Sequence, residues 1–131
     1  MRNKPVILCV DDEKIILDSL KMQLKNHFND MFVYETAENA SDALDLIDEL
    51  VGDGVRILII VSDWLMPGIK GDDFLILVHE KYPEIIKVLL TGQADEQAIQ
   101  RAYEKANLLK CLHKPWHEKE LVEVIQAGLG S

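Results

Sequence analysis

A chain of 131 residues that is 48% hydrophobic and 28% charged can bury one substantial core, and its composition does not suggest disorder. Its net charge of −9, from 14 Lys+Arg against 23 Asp+Glu, repels phosphate backbones and argues against direct nucleic-acid binding by this chain. No apolar stretch is long enough to span a bilayer, and Met1-Arg2-Asn3-Lys4-Pro5 lacks the apolar region and cleavage site of a signal peptide, so the expected compartment is the cytoplasm.

Residues 5–10 form a continuous apolar run of strand length. Residues 14–28 carry Ile16, Leu17, Leu20, Leu24 and Phe28 at helical spacing. Residues 31–36, rich in β-branched and aromatic side chains, predict a second strand. Asn39 is a cap for the next helix, whose apolar face is Ala40, Ala43, Leu44, Ile47 and Leu50, and Gly52-Asp53-Gly54 is a turn. Residues 55–61 are the most apolar run and are expected at the sheet centre. The loop 63–71 leads to a helix over 72–82 bearing Phe74, Leu75, Leu77 and Val78, which Pro83 ends. Residues 85–90 predict a fourth strand with Thr91-Gly92-Gln93 as its exit loop. Residues 95–106 predict a helix with a weak face of Ala98, Ile99 and Ala102. Residues 108–112 predict the fifth strand, and 118–128 a last helix with Leu121, Val122 and Ile125 inward.

Five βα units with no repeat or linker predict an α/β fold, a doubly wound parallel sheet with helices on both faces, in one domain over 1–131. In such a sheet the strand C-terminal ends share one edge, and ligands bind there. Asp11-Asp12 follow the first strand, Asp63 the third, Thr91-Gly92 the fourth and Lys114-Pro115 the fifth. Converging carboxylates require either a proton or a cation, and an oxygen-only donor set favours Mg²⁺. Lys114 supplies a point charge for a phosphate-like group, Thr91 a hydroxyl donor, and Gly92 leaves the backbone open to an anion. Taken singly, Asp11-Asp12 read equally well as helix caps and Asp63 as a loop acid. Together, four strand exits describe a phosphoryl site in which Asp63 is the nucleophile that forms an aspartyl phosphate. Cys9 and Cys111 fit no zinc spacing and read as small buried apolar residues.

The motifs Val10-Asp11-Asp12-Glu13, Ser62-Asp63-Trp64-Leu65-Met66-Pro67-Gly68-Ile69-Lys70-Gly71, Leu90-Thr91-Gly92 and Lys114-Pro115-Trp116 are spread along the chain between residues 6 and 127. In them the sequence resembles the receiver domain of bacterial two-component response regulators. The resemblance implies a flavodoxin-like sheet of order 2-1-3-4-5 and a phosphorylation switch. A sensor histidine kinase or phosphotransfer protein would present phosphohistidine, and Asp63 would take its phosphoryl group with Mg²⁺. Asp12, Asp63 and the Leu65 carbonyl would ligate the metal directly and Asp11 through water. Lys114 would pair with the phosphoryl oxygens, joined by Thr91 and Gly92. The resemblance also implies an output surface on the fourth helix, fifth strand and fifth helix, through which phosphorylation-dependent dimers form. The output domain or effector is not named by the sequence, and the chain reads equally as a stand-alone receiver or as part of a longer regulator.

Three positions depart from the family pattern. Cys111 stands three residues before Lys114, where the family usually has an aromatic that rotates on phosphorylation, so output coupling is expected through movement of the fourth helix instead, with Tyr103 or Trp116 as candidates. Leu65 and Gln93, each two residues past a site residue, occupy positions that control the hydrolytic water. Leucine cannot orient water, so slow autodephosphorylation is expected. Trp64 reads as a ring over the acid pocket, where it would contact the phosphoryl group, or as an ordinary half-exposed side chain. His113 and His117 lack the second ligand pair that a zinc site needs. Two other functions compete. A Mg²⁺-dependent phosphatase of the haloacid dehalogenase type would carry Asp-x-Asp after the first strand and a cap domain. A pseudo-receiver, an interaction module that is not phosphorylated, typically loses an acid or the lysine.

Overall fold

The computed structural model describes residues 4–93 and 96–130. Strands and helices alternate through them: β1 (Val6–Val10), α1 (Lys14–Phe28), β2 (Val33–Ala37), α2 (Ala40–Gly52), β3 (Ile57–Asp63), α3 (Gly71–Lys81), β4 (Ile86–Thr91), α4 (Glu96–Ala106), β5 (Lys110–His113) and α5 (Glu118–Gly130). The strands form one parallel sheet in the order β2-β1-β3-β4-β5. The most apolar strand, β3, is central as expected. Because the chain winds one way from β1 and the other way from β3, the crevice between these two strands is the topological switch point.

Alternation along each strand divides the core in two. Ile7, Cys9, Ile59, Val61, Val88 and Leu90 meet Leu17, Leu20 and Leu24 of α1 and Leu121 and Ile125 of α5. On the opposite face Leu8, Val10, Ile60 and Leu89 meet Ile47 of α2, Phe74 and Val78 of α3, and Ala102 and Ala106 of α4. A one-residue slip of any central strand would exchange these faces, so the register is strongly specified.

Local chemistry sets the element ends. Asn39 caps α2 by accepting the Asp42 N–H at 2.8 Å, and its own amide donates to the Asp42 carboxylate at 3.1 Å. After α1 the chain makes a short 3₁₀ turn over Asn29–Met31, with Asn29 at φ 53°, so β2 begins at Val33 rather than at 31. Asn107, also at φ 53°, closes α4, and the connector that follows delays β5 to Lys110. Asp95, expected to open the fourth helix, lies outside the described residues. Gly71, at the start of α3, permits a close approach: a Cβ there would meet the Asp63 carbonyl oxygen and lie 2.7 Å from Trp64 Cα.

One cation lies inside the second core face. Lys87, on β4 at the same parity as Leu89, is 1% exposed. Its Nζ is 2.8 Å from His79 Nδ1 and donates to the Pro83 carbonyl at 3.3 Å.

Candidate functional site

Asp63 is the last residue of β3, and Asp11 and Asp12 follow β1 directly, so the switch-point crevice has carboxylates on both sides. These three acids can each offer one oxygen within 4.8 Å of the others. Asp11 is fully buried and Asp63 nearly so, while Asp12 is exposed. Lys114 reaches in from the end of β5, with Nζ 2.8 Å from Asp11 Oδ2 and 3.1 Å from Asp63 Oδ1. Its position is set by its backbone, whose N–H donates to the Thr91 carbonyl at 2.9 Å. Four strand exits expected to share one address do so.

The electrostatics show a surplus of negative charge. Burial pushes the Asp63 carboxyl above the usual aspartate range, the neighbouring Asp11 adds to the shift, and Lys114 offsets it only partly. Burial opposes the Lys114 charge, but Asp11 and Asp63 outweigh it and hold its pKa above the ordinary lysine value. One lysine therefore faces three acids. Octahedral Mg²⁺, bound at about 2.1 Å by hard oxygen donors, would bring ligand oxygens to within about 3–4 Å of one another. The donor set and its spacing fit such an ion.

Asp11 closes a turn rather than capping α1, whose N-cap residue Glu13 makes no side-chain cap bond. Its Oδ1 accepts the Glu13 N–H at 2.8 Å just before α1, leaving Oδ2 for Lys114. Asp12, Asp63, Leu65, Gly92, Gln93 and Lys114 line one open cleft of about 660 Å³. Thr91 is buried beside it, and its hydroxyl accepts the Gln93 N–H at 3.0 Å. The backbone at Gly92 is open: a Cβ there would make only an ordinary contact with Lys114.

The Trp64 ring is not part of the cleft wall. It packs against the core face of α2, α3 and α4, and Nε1 donates to Asp72 Oδ1 at 3.0 Å. The Trp64 N–H donates to the Leu90 carbonyl at 2.9 Å. Cys111 is half-buried on β5, and its N–H donates to the Tyr103 hydroxyl of α4 at 3.2 Å. His113 and His117 are both exposed. Trp116 Nε1 donates to Gln23 Oε1 on α1 at 2.7 Å, tying the segment after Lys114 to the body.

A parallel sheet of this order with acids and a lysine at its strand ends defines a flavodoxin-like signalling receiver. The chain belongs to the response regulator receiver domain family, whose model matches residues 7–126. It is 28% identical over 123 residues to the hydrogenase transcriptional regulatory protein HoxA of Cupriavidus necator, covering 94% of this chain and 24% of that protein. The chain therefore spans about a quarter of the length of the curated relatives it matches. Among solved structures, it is similar to the signal receiver domain of an HD domain-containing protein from Pseudomonas fluorescens Pf-5, with TM-score 0.86, 27% identity, and 98% and 96% of the two chains covered. It is also similar to a CheY-like receiver domain protein from Methanospirillum hungatei JF-1, with TM-score 0.84, 26% identity, and 98% and 95% covered. Receiver domains of this family are signalling switches of two-component systems. No helix among the described residues is long and apolar enough to cross a membrane.

Proposed function

We propose that this chain is a single receiver domain over 1–131 whose Asp63 accepts a phosphoryl group from the phosphohistidine of a sensor histidine kinase or phosphotransfer protein. The observation that carries this reading is the Asp63 carboxylate at the end of the central strand, 3.1 Å from Lys114 and beside Asp11 and Asp12. An Asp63 oxygen attacks phosphorus, the P–N bond breaks, and its electron pair stays on the imidazole nitrogen. Lys114 neutralises phosphoryl oxygens that the carboxylates would otherwise repel. Gly92 exposes its backbone to the same group, and the Thr91 hydroxyl would be drawn toward it. Asp12 and Asp63, with the Leu65 carbonyl and with Asp11 through water, would hold Mg²⁺, which when bound supplies further positive charge to the transferring group. Direct binding of nucleic acid is disfavoured by the net charge of −9. The face formed by α4, β5 and α5 is the surface for an output partner or a second copy.

Leu65 lies in the cleft wall and is 43% exposed. An apolar side chain there cannot orient a hydrolytic water, so the aspartyl phosphate is long-lived. Incubating the purified chain with acetyl phosphate and Mg²⁺ tests the reading by intact mass. Stoichiometric labelling that Asp63→Asn abolishes is expected, with a decay far slower than seconds at neutral pH. Continuous turnover would instead indicate a phosphatase, and a folded chain that takes no label would indicate an interaction module. A half-life of seconds would refute the role given to Leu65.

A further inference from the structure

The buried side chains of α4 are all small, with Ile99 partly buried beside them. They belong to Ala98, Ala102 and Ala106, each contributing one methyl group to the core. Polar bonds supply much of the remaining grip. Arg101 Nη1 is 3.0 Å from Asp72 Oδ2 and 2.6 Å from Asp73 Oδ1. The Tyr103 hydroxyl accepts the Cys111 N–H of β5.

Asp72 is the centre of the first of these attachments. It is 7% exposed, yet both carboxylate oxygens are engaged: Oδ2 by Arg101 and Oδ1 by the Trp64 indole. A buried carboxylate bonded on both sides constrains the two partners to move together, because losing either one leaves a buried acceptor unsatisfied. Trp64 is peptide-bonded to Asp63. Its N–H bonds Leu90 and its carbonyl accepts the Gly71 N–H at 2.8 Å, so its indole cannot shift without that backbone. An unbroken series of bonded groups runs from the Asp63–Trp64 peptide to the middle of α4.

We propose that Trp64, Asp72 and Arg101 form the link through which a phosphoryl group on Asp63 repositions α4. The link rests on the phosphoacceptor reading above. The added group brings roughly two negative charges beside Lys114 and new acceptors for nearby donors. The Asp63–Trp64 peptide adjusts, the indole moves with it, and Asp72 carries Arg101 along. With three alanine methyl groups and the partly buried Ile99 as its apolar contacts, α4 then changes position at a modest packing cost. Tyr103, further along the same helix, accepts the Cys111 N–H of β5, so the movement reaches that strand without an aromatic on it.

The test uses beryllofluoride with Mg²⁺ as the phosphoryl stand-in and amide exchange over residues 96–106 as the readout. It compares wild type, Asp72→Asn and Arg101→Gln, with acetyl phosphate labelling measured in parallel. Arg101 is 43% exposed in its side chain, so Arg101→Gln keeps the fold. In wild type, α4 exchange should change by about fivefold on adding the stand-in. In both variants that response should fall below about half while labelling of Asp63 stays within about twofold. Arg101→Lys, which restores the charge, should recover part of the response. A static brace between α3 and α4 would raise basal exchange in the variants and leave the response to beryllofluoride intact. A labelled protein whose α4 response is absent in wild type, or unchanged in the variants, overturns the link alone. Absence of labelling overturns the phosphoacceptor reading and the link with it.

Discussion

Lys87 stands on β4 and Lys114 directly follows the neighbouring β5, yet their surroundings are opposite. Lys114 Nζ lies between the carboxylates of Asp11 and Asp63 and is held above the ordinary lysine pKa. Lys87 Nζ faces an imidazole nitrogen and a backbone carbonyl, both neutral, and burial pushes it down to about 8. Desolvation in turn keeps His79 below the usual histidine value, with the Lys87 charge adding to the effect, which favours the neutral ring that accepts the lysine proton. Lys87 is satisfied by hydrogen bonds near the C-terminal end of α3, where helix carbonyls favour positive charge. It demands nothing from outside the fold. At the sheet rim, one lysine cannot balance three acids, and the remaining negative charge calls for an external cation. A buried charge that its surroundings satisfy marks structure, whereas one that they leave unbalanced marks a site.

The same substitution at the two lysines separates them most sharply. Lys114→Met leaves the fully buried Asp11 without its counter-charge and should cost about 3 kcal/mol in urea unfolding without Mg²⁺. Because Lys114 also competes with a cation for these acids, saturating Mg²⁺ should restore most of that loss. An equal loss with and without Mg²⁺ would mean that the rim is an ordinary ion pair.

Asp63→Asn comes next. Burial and Asp11 already disfavour the Asp63 charge, so removing it should raise stability by about 1 kcal/mol without metal. With Mg²⁺ the gain should vanish or reverse, because the charge then has a partner. A melting temperature that falls in metal-free buffer would contradict the charge surplus.

Lys87→Met should have the smallest effect at pH 7, a gain of at most about 1 kcal/mol, since the lost hydrogen bonds nearly offset the relieved desolvation. Mg²⁺ should not alter it. The folded-state pKa of about 8 lies below the unfolded 10.5, so between these values the unfolded chain binds more protons and wild-type stability rises with pH. The advantage of Lys87→Met should therefore shrink across that window. Parallel unfolding curves at about pH 7.5 and 9.5 would show this, and a constant advantage would place the lysine in water.

The alternation of elements and the convergence of Asp11, Asp12, Asp63 and Lys114 were legible because period and position carry them. Apolar runs predict strands, parallel strands share one C-terminal edge, and acidic or basic residues at run ends then meet. Residues whose role depends on tertiary approach were not legible in this way. Asp72 reads as a solvated acid in the first turn of a helix, and only the packing of α3 against α4 brings Arg101, 29 residues later, onto it. Gly71 reads as a loop residue until the Asp63–Trp64 backbone is placed against it. Trp64 admits two readings in the sequence, and the ring packs against the core rather than in the cleft wall. Lys87 had a usable signal, since it alternates in phase with the inward Leu89, but a charge in an apolar run does not announce whether neutral partners await it.

The most direct test is to map the label after incubating the chain with acetyl phosphate in Mg²⁺ and, separately, in excess EDTA. Peptide mass spectrometry should place one phosphoryl group on Asp63 in Mg²⁺ and little or none in EDTA. A phosphoryl group on another residue, or labelling of Asp63 at the same rate without divalent cation, would contradict the account of the rim as a cation-dependent phosphoacceptor site.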